Sequence, residues 1–132
     1  MNKLRTFYVL VIAVSVLAMG ACATMAPLPA PMKTVDTKLG KVLTDGKGMT
    51  LYTFDKDTPG KSNCKGKCAK AWPPVMAGAD AKASGKFSII TRGDGSKQWA
   101  YGSLPLYGWF KDKKPGDVTG DGLKGVWHVV HP

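Results

Sequence analysis

The feature that most constrains the fold is an internal repeat at an offset of 55 residues. The stretch "LYTFDKDTPG", which begins at Leu51, matches "LYGWFKDKKPG", which begins at Leu106 and has one extra residue before Pro-Gly. Tandem copies are units that bury their apolar faces against one another. Two copies in a chain of 132 residues therefore predict one pseudo-symmetric domain and not a solenoid. The equivalent pairs are Tyr52 and Tyr107, Phe54 and Trp109, Asp57 and Asp112, and Trp72 and Trp127.

Local patterns within each repeat favour short strands. Apolar and polar residues alternate on both sides of 45–48, and again on both sides of 93–95, which predicts two hairpin turns. A final strand is predicted over 126–131. The segment 77–86 is small and polar, and we expect it to be the loop that joins the two repeats.

Helical patterns are rare in this chain. The one predicted helix covers 67–72 and ends before Pro73-Pro74, because proline cannot continue a helix. All nine acidic residues are Asp and most basic residues are Lys, a choice that suits turns and exposed sheet surfaces. We therefore predict a mainly β fold. It is a small antiparallel domain of two pseudo-symmetric repeats, about 39–76 and 87–132, with one short helix near the cysteine pair.

The N-terminus has the composition of an export signal. Lys3 and Arg5 precede an apolar run over 7–17 that is too short for a permanent membrane span, and small residues follow. The stretch ending at Cys22 resembles the lipobox of bacterial lipoproteins. That resemblance implies a diacylglyceryl group on the Cys22 thiol and cleavage just before it. The alternative is ordinary secretion, with cleavage after Ala23.

Cleavage before Cys22 divides the chain into three parts. Residues 1–21 are the predicted lipoprotein signal peptide. The segment 22–34 is rich in proline and nearly uncharged, which predicts an extended tether. The folded domain is predicted to occupy 35–132, which is long enough for one small core.

The chain is strongly basic, with a formal net charge of +10. Its lysines are scattered through the sequence, which gives no support to nucleic-acid binding. One interpretation is a solvated surface. The other is attraction to anionic lipid headgroups, lipopolysaccharide or a cell-wall polymer.

The repeated motif has a structural interpretation. Residues two apart in a strand share a face, so Tyr52 and Phe54 are predicted to point the same way, as are their counterparts in the second repeat. Asp57 and Asp112 precede Pro-Gly pairs, which suit a type II turn, and a carboxylate there can accept backbone N–H groups. The functional alternative is an aromatic platform beside a carboxylate, which could hold a sugar or a cation.

"YTFDKD" and "YGWFKD" fit the pattern Tyr-x-(Phe/Trp/Tyr)-x-x-Asp. Together with "CKGKCAKAWPP" and "GDGLKGVWHVVHP", they resemble the predicted bacterial lipoproteins known for that motif, a secreted repeat of unknown function. The resemblance covers about 39–132 and the lipobox. It implies secretion, lipid anchoring and a tandem repeat, and it implies no activity.

Cys64 and Cys68 form an even pair once Cys22 is assigned to lipidation. In an oxidising compartment a disulfide is the default for such a pair. Three residues separate the two cysteines, whereas thioredoxin-like and c-type haem motifs have two. We predict a structural disulfide that clamps the turn before Trp72, and the alternative is a redox-active or metal-binding thiol pair. An offset of 55 places Cys64 opposite Thr119.

Metal sites have weak support in the sequence. Asp117, Thr119 and Asp121 match the first half of a calcium loop, but its twelfth position is His128 instead of Glu, and these are also ordinary turn residues. His128 and His131 lie three apart in a predicted strand, so they are expected on opposite faces. We predict no metal site and no cofactor.

No hydrolase signature is present, and the chain has no Glu for a paired-carboxylate mechanism. We predict a non-enzymatic binding or structural module, lipid-anchored in the cell envelope. Ala23 after the lipidated cysteine indicates the outer membrane of a two-membrane bacterium, with the domain facing the periplasm or the surface. The expected partners are the membrane, through the N-terminal lipid, and an anionic envelope polymer or another envelope protein, but no nucleic acid. The alternative is a periplasmic redox or copper-type metal-handling protein that uses Cys64 and Cys68.

Overall fold

The computed structural model of the protein describes residues 32–132. The predicted signal peptide, the lipidation site Cys22 and most of the tether lie outside the described residues. The elements in chain order are β1 (Lys33–Thr37), β2 (Gly40–Thr44), β3 (Tyr52–Phe54), α1 (Lys67–Ala71), β4 (Phe87–Thr91), β5 (Lys97–Tyr101), β6 (Leu104–Pro105), a 3₁₀ turn (Leu123–Gly125) and β7 (Trp127–Val129).

The strands form three small antiparallel sheets, β1–β2, β3–β7 and β4–β5–β6. The mainly β prediction is confirmed, and so are the hairpin turn at 93–95 and the short helix. The hairpin predicted around 45–48 is only partly correct. That turn forms, but beyond it only Thr44 and Thr50 pair, and β3 joins β7 instead of β2.

The last segment of each repeat pairs with the other repeat. In the C-terminal half, β7 pairs with β3, so that Tyr52 lies opposite Val129. In the N-terminal half, the segment after α1 pairs with the second repeat, where Gly108 N donates to Pro73 O at 2.8 Å and Pro74 bridges Tyr107. The β3–β7 sheet therefore needs both repeats.

A pseudo-twofold axis passes between the two motif tyrosines. Tyr52 N donates to Tyr107 O at 2.8 Å, and Tyr107 N donates to Tyr52 O at 3.0 Å. This reciprocal pair joins the two repeats at equivalent residues. The tandem repeat in the sequence is thus an approximate rotational symmetry of the fold.

Two apolar clusters lie on opposite sides of the central strands, because successive strand residues point to opposite faces. Leu51 belongs to one cluster and Tyr52 to the other, and Leu106 and Tyr107 divide in the same way. The cluster on the tyrosine side contains the aromatic residues of both motifs. The other cluster is formed by Met32, Leu43, Leu51, Phe87, Trp99, Leu106 and Val130.

The folded region begins slightly earlier than predicted. β1 starts at Lys33, and Met32 is already buried, whereas the sequence places the start at 35. The reason is the β1–β2 hairpin, which pairs Lys33 with Thr44 and so includes the end of the predicted tether. Within 32–132 no helix is long and apolar enough to cross a membrane.

Candidate functional site: an aromatic groove between the repeats

Four aromatic side chains form one continuous stack, and the two repeats alternate along it. Trp72 and Trp127 lie at the centre, with ring centroids 3.7 Å apart and planes 4° from parallel. Phe54 stacks on Trp127 at 4.2 Å, and Trp109 stacks on Trp72 at 4.0 Å. The motif aromatics are therefore the two ends of the stack, and the second aromatic of each repeat is at its centre.

Gly120 makes room for this stack. A Cβ atom at Gly120 would lie 2.8 Å from Cη2 of Trp72 and 3.0 Å from Cγ of Trp109. Distances this short force a neighbour to move, and both neighbours are rings already held by stacking. The residue must be glycine because of this close approach, and its backbone conformation is not the reason.

The motif tyrosines and aspartates bond across the repeat interface. Tyr52 Oη donates to Asp112 Oδ2, and Tyr107 Oη donates to Asp57 Oδ2, both at 2.6 Å. All four residues are buried. Sequence reasoning missed this crossing, because equivalent residues in a repeat do not reveal whether a tyrosine binds its own aspartate or the other one.

The same aspartates also hold the loops that follow the Pro-Gly pairs. Asp57 Oδ1 accepts from Asn63 N at 2.6 Å, and Asp112 Oδ1 accepts from Thr119 N at 3.0 Å. These bonds place Thr119 opposite Asn63 and not opposite Cys64, which corrects the 55-residue alignment in this loop. The extra residue before the second Pro-Gly accounts for the shift, and the structural counterpart of Cys64 is Gly120.

Burial changes the ionisation of these buried groups. It is the main reason that the pKa of the Tyr52 hydroxyl lies well above its usual value, and the hydrogen bond to Asp112 raises it further. Burial and then the hydrogen bond to Asp57 raise the pKa of Tyr107 in the same way. Burial also raises the pKa of Asp57, although hydrogen bonds from Tyr107 and Asn63 oppose it. Both tyrosines therefore remain protonated donors at neutral pH.

The pair around Tyr107 has additional polar support. Ser62 Oγ lies 2.6 Å from Tyr107 Oη and accepts from Arg92 Nη1 at 2.9 Å. The same Arg92 nitrogen donates to Gln98 Oε1 at 2.7 Å, and Nη2 donates to Cys64 O at 2.7 Å. Around Tyr52, a backbone N–H takes the place of the serine, because Gly120 N donates to Tyr52 Oη at 3.2 Å.

The stack borders an open groove of about 590 Å³, a size typical of small-molecule sites. The two repeats contribute equally to its lining. Besides the four aromatic rings, the described residues that line it are either apolar or Lys, and none is acidic. They are Phe54, Lys56, Lys67, Cys68, Ala71 and Trp72 from the first repeat, and Trp109, Lys111, Leu123, Lys124, Val126 and Trp127 from the second.

This lining contradicts the alternative of an aromatic platform beside a carboxylate. Asp57 and Asp112 are each only 7% exposed and are occupied by tyrosine hydroxyls and loop N–H groups. The charged groups at the groove are four exposed lysines. A site with this electrostatics favours an anion and disfavours a cation.

The predicted disulfide between Cys64 and Cys68 is present. Cys64 is fully buried in the aromatic cluster, and Cys68 lies in α1 and lines the groove. The bond thereby fixes the first turn of α1 against the loop that Asp57 holds. With the two sulfurs joined, neither cysteine is available as a thiolate ligand for a metal ion.

The weak calcium candidates are used by the fold itself. Asp117 accepts from Lys114 Nζ at 2.7 Å, and this hydrogen bond is the main reason that the pKa of Asp117 falls to about 2. Thr119 Oγ1 donates to Asp112 at 2.6 Å, and Asp121 Oδ1 accepts a backbone N–H of β7 at 3.0 Å. In the part of the chain that the structure describes, no group of three His, Cys or Asp side chains is placed to hold a metal ion.

The two histidines are held in different places. His128 Nε2 lies 2.7 Å from Asp55 Oδ2, whereas His131 Nδ1 lies 2.9 Å from Lys41 O. Each therefore contacts a different segment of the first repeat, and the structure does not bring them together.

The same twofold arrangement is visible in comparison with known families. A family model described as a secreted repeat of unknown function matches residues 33–76 and 88–131, which is more than half of the chain. The chain belongs to this family. The first match begins with β1, six residues before the repeat boundary expected from the sequence. No curated protein and no solved structure matches the chain.

Proposed function

We propose that this secreted-repeat protein is a lipid-anchored, non-enzymatic binding module of the cell envelope, and that the aromatic groove is its ligand site. The observation that carries the proposal is the groove itself, which both repeats build in equal share from apolar side chains and four lysines. Ligand sites have this composition, since an apolar lining supplies affinity and a few polar groups supply orientation.

A binding role is favoured over catalysis by the state of the acid–base groups. The Tyr52–Asp112 and Tyr107–Asp57 pairs are acid–base groups, but they are buried, and within each pair the two side chains are bonded to each other. They hold the two repeats together. The charged groups that reach the groove are ammonium groups, which suit recognition of an anion.

The anchoring part of the proposal rests on the sequence before the domain. Cys22 in its lipobox-like setting would carry the lipid, and Ala23 directs the protein to the outer membrane in a two-membrane bacterium. Ten residues lead from Cys22 to Met32. A proline-rich chain of that length reaches about 30 Å, enough to hold the groove clear of the headgroups.

Metabolic labelling with a clickable fatty acid tests the anchor. The full chain expressed with its own signal should take up the label, and Cys22→Ser should lose it. Cys68→Ser is the matched control and should retain the label, because Cys68 lies in the folded domain. A labelled Cys22→Ser protein would overturn the anchoring proposal.

Native mass spectrometry tests the binding role. The protein purified from its own envelope should retain a bound molecule, and the pair Lys56→Glu and Lys111→Glu should lose it. The pair Lys47→Glu and Lys82→Glu makes the same change in net charge at exposed positions outside the groove. Equal retention in both double variants would contradict a site in the groove.

A further inference from the structure

The groove combines an apolar floor with a basic rim, and this combination identifies a class of ligand. We propose that it takes one anionic amphiphile, with an aliphatic chain along the aromatic stack and a phosphate or carboxylate headgroup held by the lysines. This inference rests on the proposed function, because it names the ligand of the same groove.

The charge of the groove is uncompensated. Each repeat contributes two of its four lysines, and none of the four forms an ion pair with another residue of 32–132. Lys56 and Lys111 directly precede the motif aspartates, but those carboxylates are buried and accept hydrogen bonds from tyrosines. The ammonium groups are therefore available to an external anion.

The apolar part of the ligand follows from how the rings are stacked. The two faces of Trp72 are covered by Trp109 and Trp127, and the two faces of Trp127 by Trp72 and Phe54. A sugar recognised by aromatic residues stacks on a ring face, and the two central rings offer only their edges to the groove. An aliphatic chain needs only apolar surface, which ring edges supply.

The pseudo-twofold symmetry adds a further expectation. Lys56 follows Phe54 by two residues at one end of the stack, and Lys111 follows Trp109 by two residues at the other end. A headgroup can therefore be held at either end. A chain with a carboxylate at both ends engages both lysines and should bind more tightly than a monocarboxylate of equal length.

The test uses residues 22–132 with Cys22→Ser, so that the anchor's own acyl chains are absent. Monomeric dodecyl phosphate is titrated below its micelle concentration, and binding is followed by tryptophan fluorescence and calorimetry. Three of the four tryptophans line the groove, and Trp99 lies in the other apolar cluster. We expect saturable one-to-one binding, and a loss of about fourfold in affinity for each methylene removed from the chain.

The controls separate the headgroup from the chain. Dodecylphosphocholine has the same chain with a zwitterionic headgroup and should bind at least tenfold more weakly, and inorganic phosphate should not bind. The pair Lys56→Gln and Lys111→Gln should weaken dodecyl phosphate at least tenfold. The pair Lys47→Gln and Lys82→Gln should leave it unchanged.

Three outcomes would overturn the ligand assignment. They are equal affinity for the anionic and zwitterionic amphiphiles, insensitivity to the groove lysines, and binding to anionic vesicles without binding to the monomer. The last outcome means attraction to a membrane surface. If the envelope-purified protein still retains a molecule through Lys56 and Lys111, the binding role stands and only the ligand class fails.

Discussion

The two repeats have the same motif residues at equivalent places, but their loops are stabilised by different contacts. The first has the Cys64–Cys68 bond and the helix α1, and Arg92 ties its loop to the second repeat. The second has a 3₁₀ turn in place of the helix and Gly120 in place of the buried cysteine. The shared residues are those that each repeat offers to the other, whereas the differing residues brace one loop locally. Changes to shared residues should therefore affect both halves, whereas loss of the disulfide, which joins two residues of one loop, should affect only the first.

The largest expected effect is at the centre of the aromatic stack. Trp72→Ala and Trp127→Ala should each lower the free energy of unfolding by about 3–5 kcal/mol, because each removes a buried ring stacked on both faces. Urea denaturation measures the loss, with Phe110→Ala as the exposed control. The two losses should be similar. A loss confined to one of the two variants would show that the stack is not shared equally.

The second-largest effect is expected at Gly120, which takes the place of Cys64 in the second repeat. Gly120→Ala should lower the free energy of unfolding by up to about 3 kcal/mol, because the new Cβ meets Trp72 and Trp109. Gly78→Ala is the control, since a Cβ there meets nothing within 4 Å and its backbone is ordinary. The comparison fails if both variants unfold at the same urea concentration.

Variants of the motif tyrosines test the crossed hydrogen bonds between the two repeats. Tyr52→Phe and Tyr107→Phe should each cost about 2 kcal/mol, because each leaves a buried aspartate without its hydroxyl donor. Each change also leaves a second group without its partner, Gly120 N for Tyr52 and Ser62 Oγ for Tyr107, so the two losses should be similar. In double-mutant cycles, Tyr107 should couple to Asp57 and not to Asp112. Coupling of Tyr107 to Asp112 would refute the crossed pairing.

The raised pKa values of the two tyrosines predict that the free energy of unfolding falls at alkaline pH. Their pKa values are raised in the folded state, so the unfolded chain releases protons from about pH 10 while the folded chain keeps them. The stability that they contribute is complete below pH 10 and falls above it by about 1.4 kcal/mol per pH unit for each tyrosine. Urea titrations between pH 9 and 11 should show a shallower loss in the double Tyr→Phe variant.

The most local expected effect is that of the disulfide. The bond closes a loop of only five residues, so its reduction should cost about 2 kcal/mol. The effect should be local, and amide hydrogen exchange should increase in 64–72 but not in 120–127. Cys64→Ser with Cys68→Ser should reproduce it without a reductant. An equal increase in amide hydrogen exchange in both segments would mean that the bond stabilises the whole domain.

Much of the fold could be predicted from local pattern. The hairpin around 93–95 and the helix at 67–71 depend on turn residues, alternation and prolines that act within a few positions. The hairpin at 45–48 was only partly predicted, because β3, the strand that follows the turn, pairs with β7 from the C-terminal end of the chain instead of with β2. The groove lysines were missed for a similar reason. Lys56 and Lys111 are equivalent in the repeat and could have been noticed, whereas Lys67 and Lys124 have no shared signal.

The sequence by itself determined that the domain is built twice, that each copy turns one aromatic face inward, and that a cysteine pair marks one copy. These properties depend on identity and spacing, which a repeat displays directly. Only the tertiary structure decided which repeat supplies the hydrogen-bond partner of each motif tyrosine. Tyr52 could satisfy Asp57 or Asp112 with the same hydrogen bond, and the strand exchange selects Asp112 because it brings the second motif beside the first. The same exchange stacks Phe54, Trp127, Trp72 and Trp109 and gathers scattered lysines around them. A groove that spans two repeats is a property of their packing, and neither repeat contains it alone.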